Sequence, residues 1–163
     1  MRNILLTGGA GFIGKRLALS LRSAGYGVSV FDNLHTQVHP NPEGAVAQLK
    51  QAGARFTFGD VRDGSALTRA IIVADADIVI HLAAETGTGQ SYELPANYCD
   101  VNVTGTAQLI ESTKVARANG IGVGRVILAG SRAIYGEGAC LDAEGRQITA
   151  VPRLPTDPAV GDF

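Results

Sequence analysis

Four glycines near the start of the chain have the types and spacing that hold a phosphate. Residues 7–14 (Thr-Gly-Gly-Ala-Gly-Phe-Ile-Gly) follow the apolar run 4–6 and open a segment with helical spacing of apolar residues. Glycine permits turns and close backbone approaches that a side chain would block, and a helix N-terminus presents unpaired N–H groups to an anion. The spacing of Gly8, Gly11 and Gly14 is therefore typical of a turn that binds the diphosphate of a dinucleotide.

An acidic residue stands at the end of the next predicted strand. Asp32 follows residues 27–31 (Gly-Val-Ser-Val-Phe) and lies eighteen positions after Gly14. A carboxylate in that place accepts hydrogen bonds from both hydroxyls of the adenosine ribose and repels a 2′-phosphate. The alternative, a glycine turn that binds nothing, leaves Asp32 unexplained. The two features together predict a dinucleotide site that prefers NAD to NADP.

Two later strand ends add candidate contacts. Asp60 follows the third predicted strand and can accept the adenine amino hydrogen with Val61 packed nearby; alternatively, it is an acid that stabilises a helix dipole. Leu82, Ala83 and Ala84 follow the fourth strand, where small residues leave room for the ribose and nicotinamide. His81, within that strand, is interpreted as a packed residue rather than an acid or base.

Strands and helices alternate along most of the chain. The predicted strands are 2–7, 27–31, 54–58, 77–82 and 125–129. The predicted helices run from Phe12 to a C-cap at Gly25, over residues 45–50, from an N-cap at Asp63 or Ser65, and over residues 97–119 with an interruption near 104–106. This alternation indicates an α/β fold with a Rossmann-type doubly wound parallel sheet. Residues 1–135 form the predicted nucleotide-binding domain. Residues 136–163 are predicted to be a loop or poorly ordered tail.

Composition narrows the function classes. The 163 residues are 45% hydrophobic and 18% charged, with a net charge of −1, which predicts one soluble domain without a nucleic-acid or membrane surface. The absence of a visible secretory signal or apolar span favours a cytoplasmic protein. Cys99 and Cys140 have no metal-like spacing and are interpreted as reduced thiols, so no metal site is predicted.

These motifs together resemble the NAD-dependent epimerase/dehydratase family, the extended short-chain dehydrogenases/reductases. The resemblance rests on residues 7–14, 31–34 (Phe-Asp-Asn-Leu), 59–63 (Gly-Asp-Val-Arg-Asp), 81–85 (His-Leu-Ala-Ala-Glu), 102–106 (Asn-Val-Thr-Gly-Thr) and 131–136 (Ser-Arg-Ala-Ile-Tyr-Gly), and it extends to about residue 138. Residues 85–91 with 131–138 are most similar to dTDP-L-rhamnose 4-epimerases within that family.

The resemblance implies roles for individual residues. Ser131 holds the place of the serine or threonine that helps a catalytic tyrosine polarise the C4 oxygen of a sugar, although it could simply cap a turn. The cofactor contacts assigned by the motifs and the resemblance are Gly8, Gly11, Phe12, Ile13, Gly14, Asp32, Asn33, Asp60, Val61, Leu82, Ala83, Ala84 and Asn102. For Asn102 the alternative is an amide that only stabilises an irregular helix. Thr86, Thr88, Gln90 and Ser91 face the sugar by resemblance, or form a solvent-facing loop.

The family's general base is absent from this chain. That base is a tyrosine followed four residues later by a lysine, whose ammonium lowers the phenol pKa. The residues at that offset from the four tyrosines are Val30, Ala96, Asn102 and Ala139. We therefore expect a truncated gene, a shortened recombinant chain or a proteolytic product, rather than a natural half-protein, with the sheet stopping after about five strands and the fifth strand an exposed edge.

Two functions are compatible with this pattern. In the first, the parent protein is a nucleotide-sugar 4-epimerase or dehydratase acting on a substrate such as a dTDP-sugar, retains NAD, exchanges hydride at sugar C4 and forms a homodimer, while this fragment is inactive. In the second, the chain is a non-catalytic NAD(H)-binding regulatory or sensor module. The missing Tyr/Lys pair supports the second function, and Ser131 supports the first.

Overall fold

A computed structural model describes residues 1–131, 134 and 138–149. The strands are β1 (Asn3–Thr7), β2 (Gly27–Asp32), β3 (Arg55–Phe58), β4 (Ile78–His81), β5 (Arg125–Leu128), β6 (Ala139–Leu141) and β7 (Gln147–Thr149). The helices are α1 (Phe12–Ser23), α2 (Pro42–Gln51), α3 (Gly64–Ala74), α4 (Thr88–Glu93), α5 (Pro95–Cys99), a π-helical turn at Asp100–Thr104, and α6 (Gly105–Ala118).

The first five strands form one parallel sheet in the order β3-β2-β1-β4-β5. Strand β1 lies in the centre, with Thr7 opposite Phe31 of β2 on one side and His81 of β4 on the other. The chain order therefore reverses at β1, and the carboxyl ends of β1 and β4 flank the crevice where such sheets bind ligands. The predicted Rossmann-type doubly wound sheet is confirmed.

Helices cover both faces of the sheet because the buried strand residues alternate between them. Leu5 of β1 belongs to a core cluster with residues of α3 and α6. Its neighbours Ile4 and Leu6 belong to a second cluster with residues of α1 and α2. Successive side chains of a strand point to opposite faces, so the near-continuous apolar run of β1 fills both cores. This packing holds the carboxyl end of each strand in place, and with it the position of the residues that follow the strand.

The expected interruption of the long helix is a π-helical turn. It occupies Asp100–Thr104, between α5 and α6. There, the Thr106 hydroxyl donates to the carbonyl of Asn102 at 2.6 Å. A Cβ on Gly105 would lie 2.8 Å from Cγ2 of Val61, so glycine allows α6 to pack directly on the turn that precedes α3. The turn changes the helix register and points Asn102 toward the end of β4.

Two helices differ from the prediction. The helix predicted at 45–50 spans Pro42–Gln51, because Asn41 caps it by accepting from the Gly44 amide at 2.9 Å. Part of the loop predicted after the fourth strand is the short helix α4. That helix has no side-chain cap at its N-terminus, so the chain carries no local capping signal for it.

The chain divides into two compact units, residues 1–129 and 130–163. The second unit contains an antiparallel hairpin of β6 and β7, which corrects the prediction of a loop or tail in this part of the chain. Its turn is organised by Asp142, whose carboxylate accepts from the amides of Glu144 and Arg146. The other residues of the predicted tail, 136–137 and 150–163, lie outside the described residues.

Strand β5 is an edge of the sheet within the described part of the chain, as predicted. All four of its residues are exposed, including Val126, Ile127 and Leu128. Within the same ranges, no helix has the length and apolar character needed to cross a bilayer.

Candidate functional site

The glycine turn forms a backbone-only cradle at the carboxyl end of β1. Gly8 has φ +65° and donates its amide to the Phe31 carbonyl at 2.9 Å. A Cβ on Gly8 would lie 2.6 Å from the Ala83 amide nitrogen, and a Cβ on Gly14 would meet the Gly8 carbonyl oxygen. Side chains are therefore excluded at both positions by backbone atoms, which cannot move aside as a side-chain end can.

The N-terminus of α1 opens onto this turn. Its N-cap, Gly11, makes no side-chain cap, and its first turn holds no acidic residue. The amide groups of that turn and the positive end of the helix dipole are thus suited to an anion. Phe12 is 72% exposed and Ile13 is also exposed, so these predicted contacts lie at the surface. The Arg16 guanidinium stacks 4.3 Å from the ring centroid of Phe12.

Asp32 lies beside the turn and is held by backbone donors. Its Oδ2 accepts from the Ala10 amide at 3.0 Å, and its Oδ1 accepts from the Leu34 amide at 2.8 Å. His39 Nε2 lies 3.3 Å from Oδ1, and both side chains are only 5% exposed. The two backbone amides therefore orient the carboxylate, and a ribose diol would need one open acceptor site on each oxygen.

Asp60 is linked to the residue that follows Asp32: the side-chain amide of Asn33 donates to Asp60 Oδ2 at 3.1 Å. Arg62 donates to both Asp60 oxygens, and this hydrogen bonding lowers the pKa of Asp60 to about 2. Asp60 is therefore an anion at neutral pH. The N-cap of α3 is Asp63, which accepts from the Ala66 amide. Val61 is buried in the core, so only its backbone can meet a cofactor.

The end of β4 closes the other side of the turn. The Leu82 amide donates to the Thr7 carbonyl at 3.0 Å, which places Leu82 and Ala83 directly against Gly8. His81 is buried, with Nδ1 2.6 Å from the Thr7 hydroxyl oxygen. Burial lowers the pKa of His81, which keeps the imidazole neutral. This environment agrees with the interpretation of His81 as a packed strand residue.

Asn102 fixes the loop that follows β4. Its side-chain oxygen accepts from the Glu85 amide at 2.9 Å, and its side-chain nitrogen donates to the Glu85 carbonyl at 3.0 Å. The Asn102 side-chain amide thus makes hydrogen bonds to both backbone groups of Glu85, as a residue of a neighbouring strand would. The sequence motifs indicated that Asn102 is a cofactor contact or an amide that stabilises an irregular helix, but they did not reveal this contact, which joins residues seventeen positions apart.

The predicted sugar-side residues occupy α4 and the residues before it. Thr88, Gln90 and Ser91 lie on α4, and Thr86 is exposed just before it. Gln90 Oε1 accepts from Gln37 Nε2 at 2.7 Å and from the Tyr98 hydroxyl at 3.3 Å. Ser131 is exposed and belongs to the second unit. Of the motif around Ser131, residues 132, 133, 135 and 136 lie outside the described residues.

Comparison with known families agrees with this geometry. The model of the NAD dependent epimerase/dehydratase family matches residues 4–156. The chain belongs to this family. The resemblance found in the sequence motifs is therefore confirmed, and the backbone cradle and Asp32 lie in an NAD dependent epimerase/dehydratase fold.

Among curated members of the family, a dTDP-L-rhamnose 4-epimerase of Burkholderia thailandensis is 42% identical over 144 residues, covering 88% of this chain and 38% of the relative. A UDP-glucose 4-epimerase of Mus musculus is 35% identical over 141 residues, covering 83% and 39%. The chain thus spans about two fifths of the length of these relatives.

Solved structures of the family match over the same portion. A UDP-glucose 4-epimerase from Brucella ovis in complex with NAD superposes with a TM-score of 0.71 and 36% identity, covering 83% of this chain and 38% of that one. The enzyme from Stenotrophomonas maltophila, with bound NAD and formylated UDP-arabinopyranose, has a TM-score of 0.72 and 28% identity, covering 83% and 39%.

Proposed function

We propose that the chain is the NAD-binding portion of a nucleotide-sugar 4-epimerase or dehydratase. The observation that carries this proposal is the glycine turn, where a Cβ on Gly8 or Gly14 would strike backbone, beside the buried carboxylate of Asp32. A cradle without side chains fits a diphosphate, and an oriented carboxylate fits a ribose diol. The related NAD complexes and epimerases support the same function.

In this proposal, each part of the site binds one part of the dinucleotide. The glycine turn and the N-terminus of α1 bind the diphosphate, Asp32 accepts from the adenosine ribose, and Asp60 accepts from the adenine amino group. Asn33 orients Asp60, and the small residues 83–84 after Leu82 leave room for the nicotinamide half. Asn102 acts indirectly, because it holds the backbone of the loop that contains these residues.

The reaction would occur at C4 of the sugar of a nucleotide sugar such as a dTDP-sugar. NAD, when bound, supplies a hydride acceptor for that carbon. The Ser131 hydroxyl would donate a hydrogen bond to the C4 oxygen, and Thr86, Thr88, Gln90 and Ser91 would line the sugar side. We further propose that the full-length protein is a cytoplasmic homodimer.

The 163-residue chain is expected to bind NAD without turning over nucleotide sugars. No tyrosine in it has a lysine four residues later, so a base for the C4 hydroxyl is missing. Product analysis after incubation of the chain with NAD and a dTDP- or UDP-hexose should find no 4-epimer. Epimerisation at the rate of a full-length relative would refute this expectation.

The same missing pair favours a second candidate, a non-catalytic NAD(H)-binding regulatory module. The genomic sequence after the codon for Phe163 separates the two functions. A Tyr-x-x-x-Lys motif within the next few tens of codons, in frame or after a frameshift, would identify the parent enzyme. Absence of the motif would favour the regulatory module.

A further inference from the structure

The segment between β2 and α2 lies over the candidate cofactor cleft. Its residues 35–41, named here the strap, contact the cleft at three places. His39 covers the Asp32 carboxylate, with Nε2 3.3 Å from Oδ1. Val38 Cγ1 lies 3.9 Å from the position of a Cβ on Gly11, above the glycine turn. Gln37 hydrogen-bonds to Gln90 of α4 at 2.7 Å.

These contacts join the two sides of the crevice. The chain leaves the sheet at the end of β2, passes the turn after β1, and reaches α4, which follows β4. Because the sheet order is β2-β1-β4, the Gln37–Gln90 bond spans the switch point where a dinucleotide would bind. Gln90 Oε1 also accepts from the Tyr98 hydroxyl of α5 at 3.3 Å. Gln37 of the strap is thus bonded to a residue of α4 that is itself bonded to α5.

The closed strap obstructs the contact that the ribose requires. With both Asp32 and His39 only 5% exposed, a diol cannot approach the carboxylate until His39 moves away. Oδ1 already accepts from the Leu34 amide, and His39 Nε2, 3.3 Å from the same oxygen, stands where a ribose hydroxyl would approach it. The strap also has an internal turn in this state, since the amides of Val38 and His39 both donate to the His35 carbonyl.

We propose that the strap is an autoinhibitory latch: residues 35–41 hold the cleft closed through the Gln37–Gln90 and His39–Asp32 contacts, and a dinucleotide binds only after the strap opens. This proposal rests on the proposed NAD-binding function. If only a small fraction of the molecules has an open cleft, the apparent affinity is the intrinsic affinity multiplied by that fraction. Weakening the latch therefore accelerates association and leaves dissociation unchanged.

Surface plasmon resonance with NAD over the immobilised 163-residue chain tests the latch. The side chains of Gln37 and Gln90 are exposed, so Gln37→Ala and Gln90→Ala are expected to fold. A single side-chain hydrogen bond has a modest net contribution, so Gln37→Ala should raise the association rate constant about three- to tenfold. The double variant should equal the larger single effect, because both substitutions remove one bond. Gln48→Ala, an exposed glutamine of α2, serves as the matched control and should change neither rate constant.

An association rate constant unchanged in Gln37→Ala, or a dissociation rate constant raised in its place, would overturn the latch. If neither wild type nor variant binds NAD, the proposed function fails and hydrogen exchange without NAD decides the latch separately. The amides of Leu34 and His39 should then exchange about three- to tenfold faster in Gln37→Ala than in wild type. Equal exchange would reject the latch even in that case.

Discussion

Replacing Gly8 with alanine is expected to abolish detectable NAD binding and to lower the free energy of unfolding by about 2–5 kcal/mol. Two effects add at this position. Gly8 has φ +65°, a conformation that L side chains rarely adopt, and its new Cβ would lie 2.6–2.8 Å from backbone atoms of Leu82 and Ala83. The turn after β1 would separate from the end of β4, and the diphosphate cradle would lose its shape. Urea unfolding and calorimetric titration with NAD measure the two losses.

Substitutions at two further glycines distinguish the backbone strain from the collision of the new Cβ. Gly25 has φ +86° with nothing within 4 Å of its Cβ position, so Gly25→Ala should cost only the backbone strain, about 1–2 kcal/mol, and leave NAD binding unchanged. Gly14→Ala adds no such strain, but its Cβ would lie 2.6 Å from Gly9 Cα, so NAD binding should be lost. Normal NAD affinity in Gly8→Ala or Gly14→Ala would show that the turn does not hold the cofactor.

Replacing Asp32 with asparagine is expected to weaken NAD binding about 100-fold. A carboxylate that accepts from both ribose hydroxyls makes two charge-assisted hydrogen bonds, each contributing about 1.5–3 kcal/mol, and asparagine retains one acceptor oxygen without the charge. The preference for NAD over NADP should also decrease, because the repulsion between the carboxylate and a 2′-phosphate is removed. Titration of wild type and variant with NAD and NADP measures both changes.

The matched control is Glu43→Gln, the same change of carboxylate to amide in the exposed first turn of α2. It should leave both affinities unchanged. Loss of the Asp32 charge also weakens the contact with His39, which by itself would raise the association rate constant. The lost ribose hydrogen bonds have the larger effect, so Asp32→Asn should mainly raise the dissociation rate constant. An Asp32→Asn variant that binds NAD as wild type does would exclude Asp32 from the ribose site.

Much of the fold was predictable because its signals are local. The glycine spacing, the apolar run of β1 and the acid at the end of β2 each depend on a few neighbouring residues, and the sheet follows from their alternation. The N-cap role proposed for Asp63 was equally local and is confirmed by its bond to the Ala66 amide. The interruption of the long helix was predictable from Thr-Gly-Thr at 104–106, although the π-helical turn lies just before Gly105.

The features that could not be predicted have no local sequence signal, or they depend on residues far apart in the chain. Helix α4 has glycine at its N-cap and as its second residue, so its sequence is typical of a loop. The hairpin of β6 and β7 has strands of three residues, too short for a clear alternation, although Asp142 and Gly145 mark its turn. The bond of Gln37 with Gln90 joins residues 53 positions apart, and no spacing rule predicts it.

Calorimetric titration of the 163-residue chain with NAD and with ADP-ribose tests the central claim most directly. In the proposed site, Asp32, Asp60 and the glycine turn bind the adenosine and diphosphate half of the cofactor, whereas the nicotinamide half has no Tyr/Lys pair. We therefore expect both ligands to bind, with affinities that agree within about threefold. Absence of binding by both ligands, or an affinity for NAD equal to that of an intact relative and more than about tenfold above that for ADP-ribose, would contradict it.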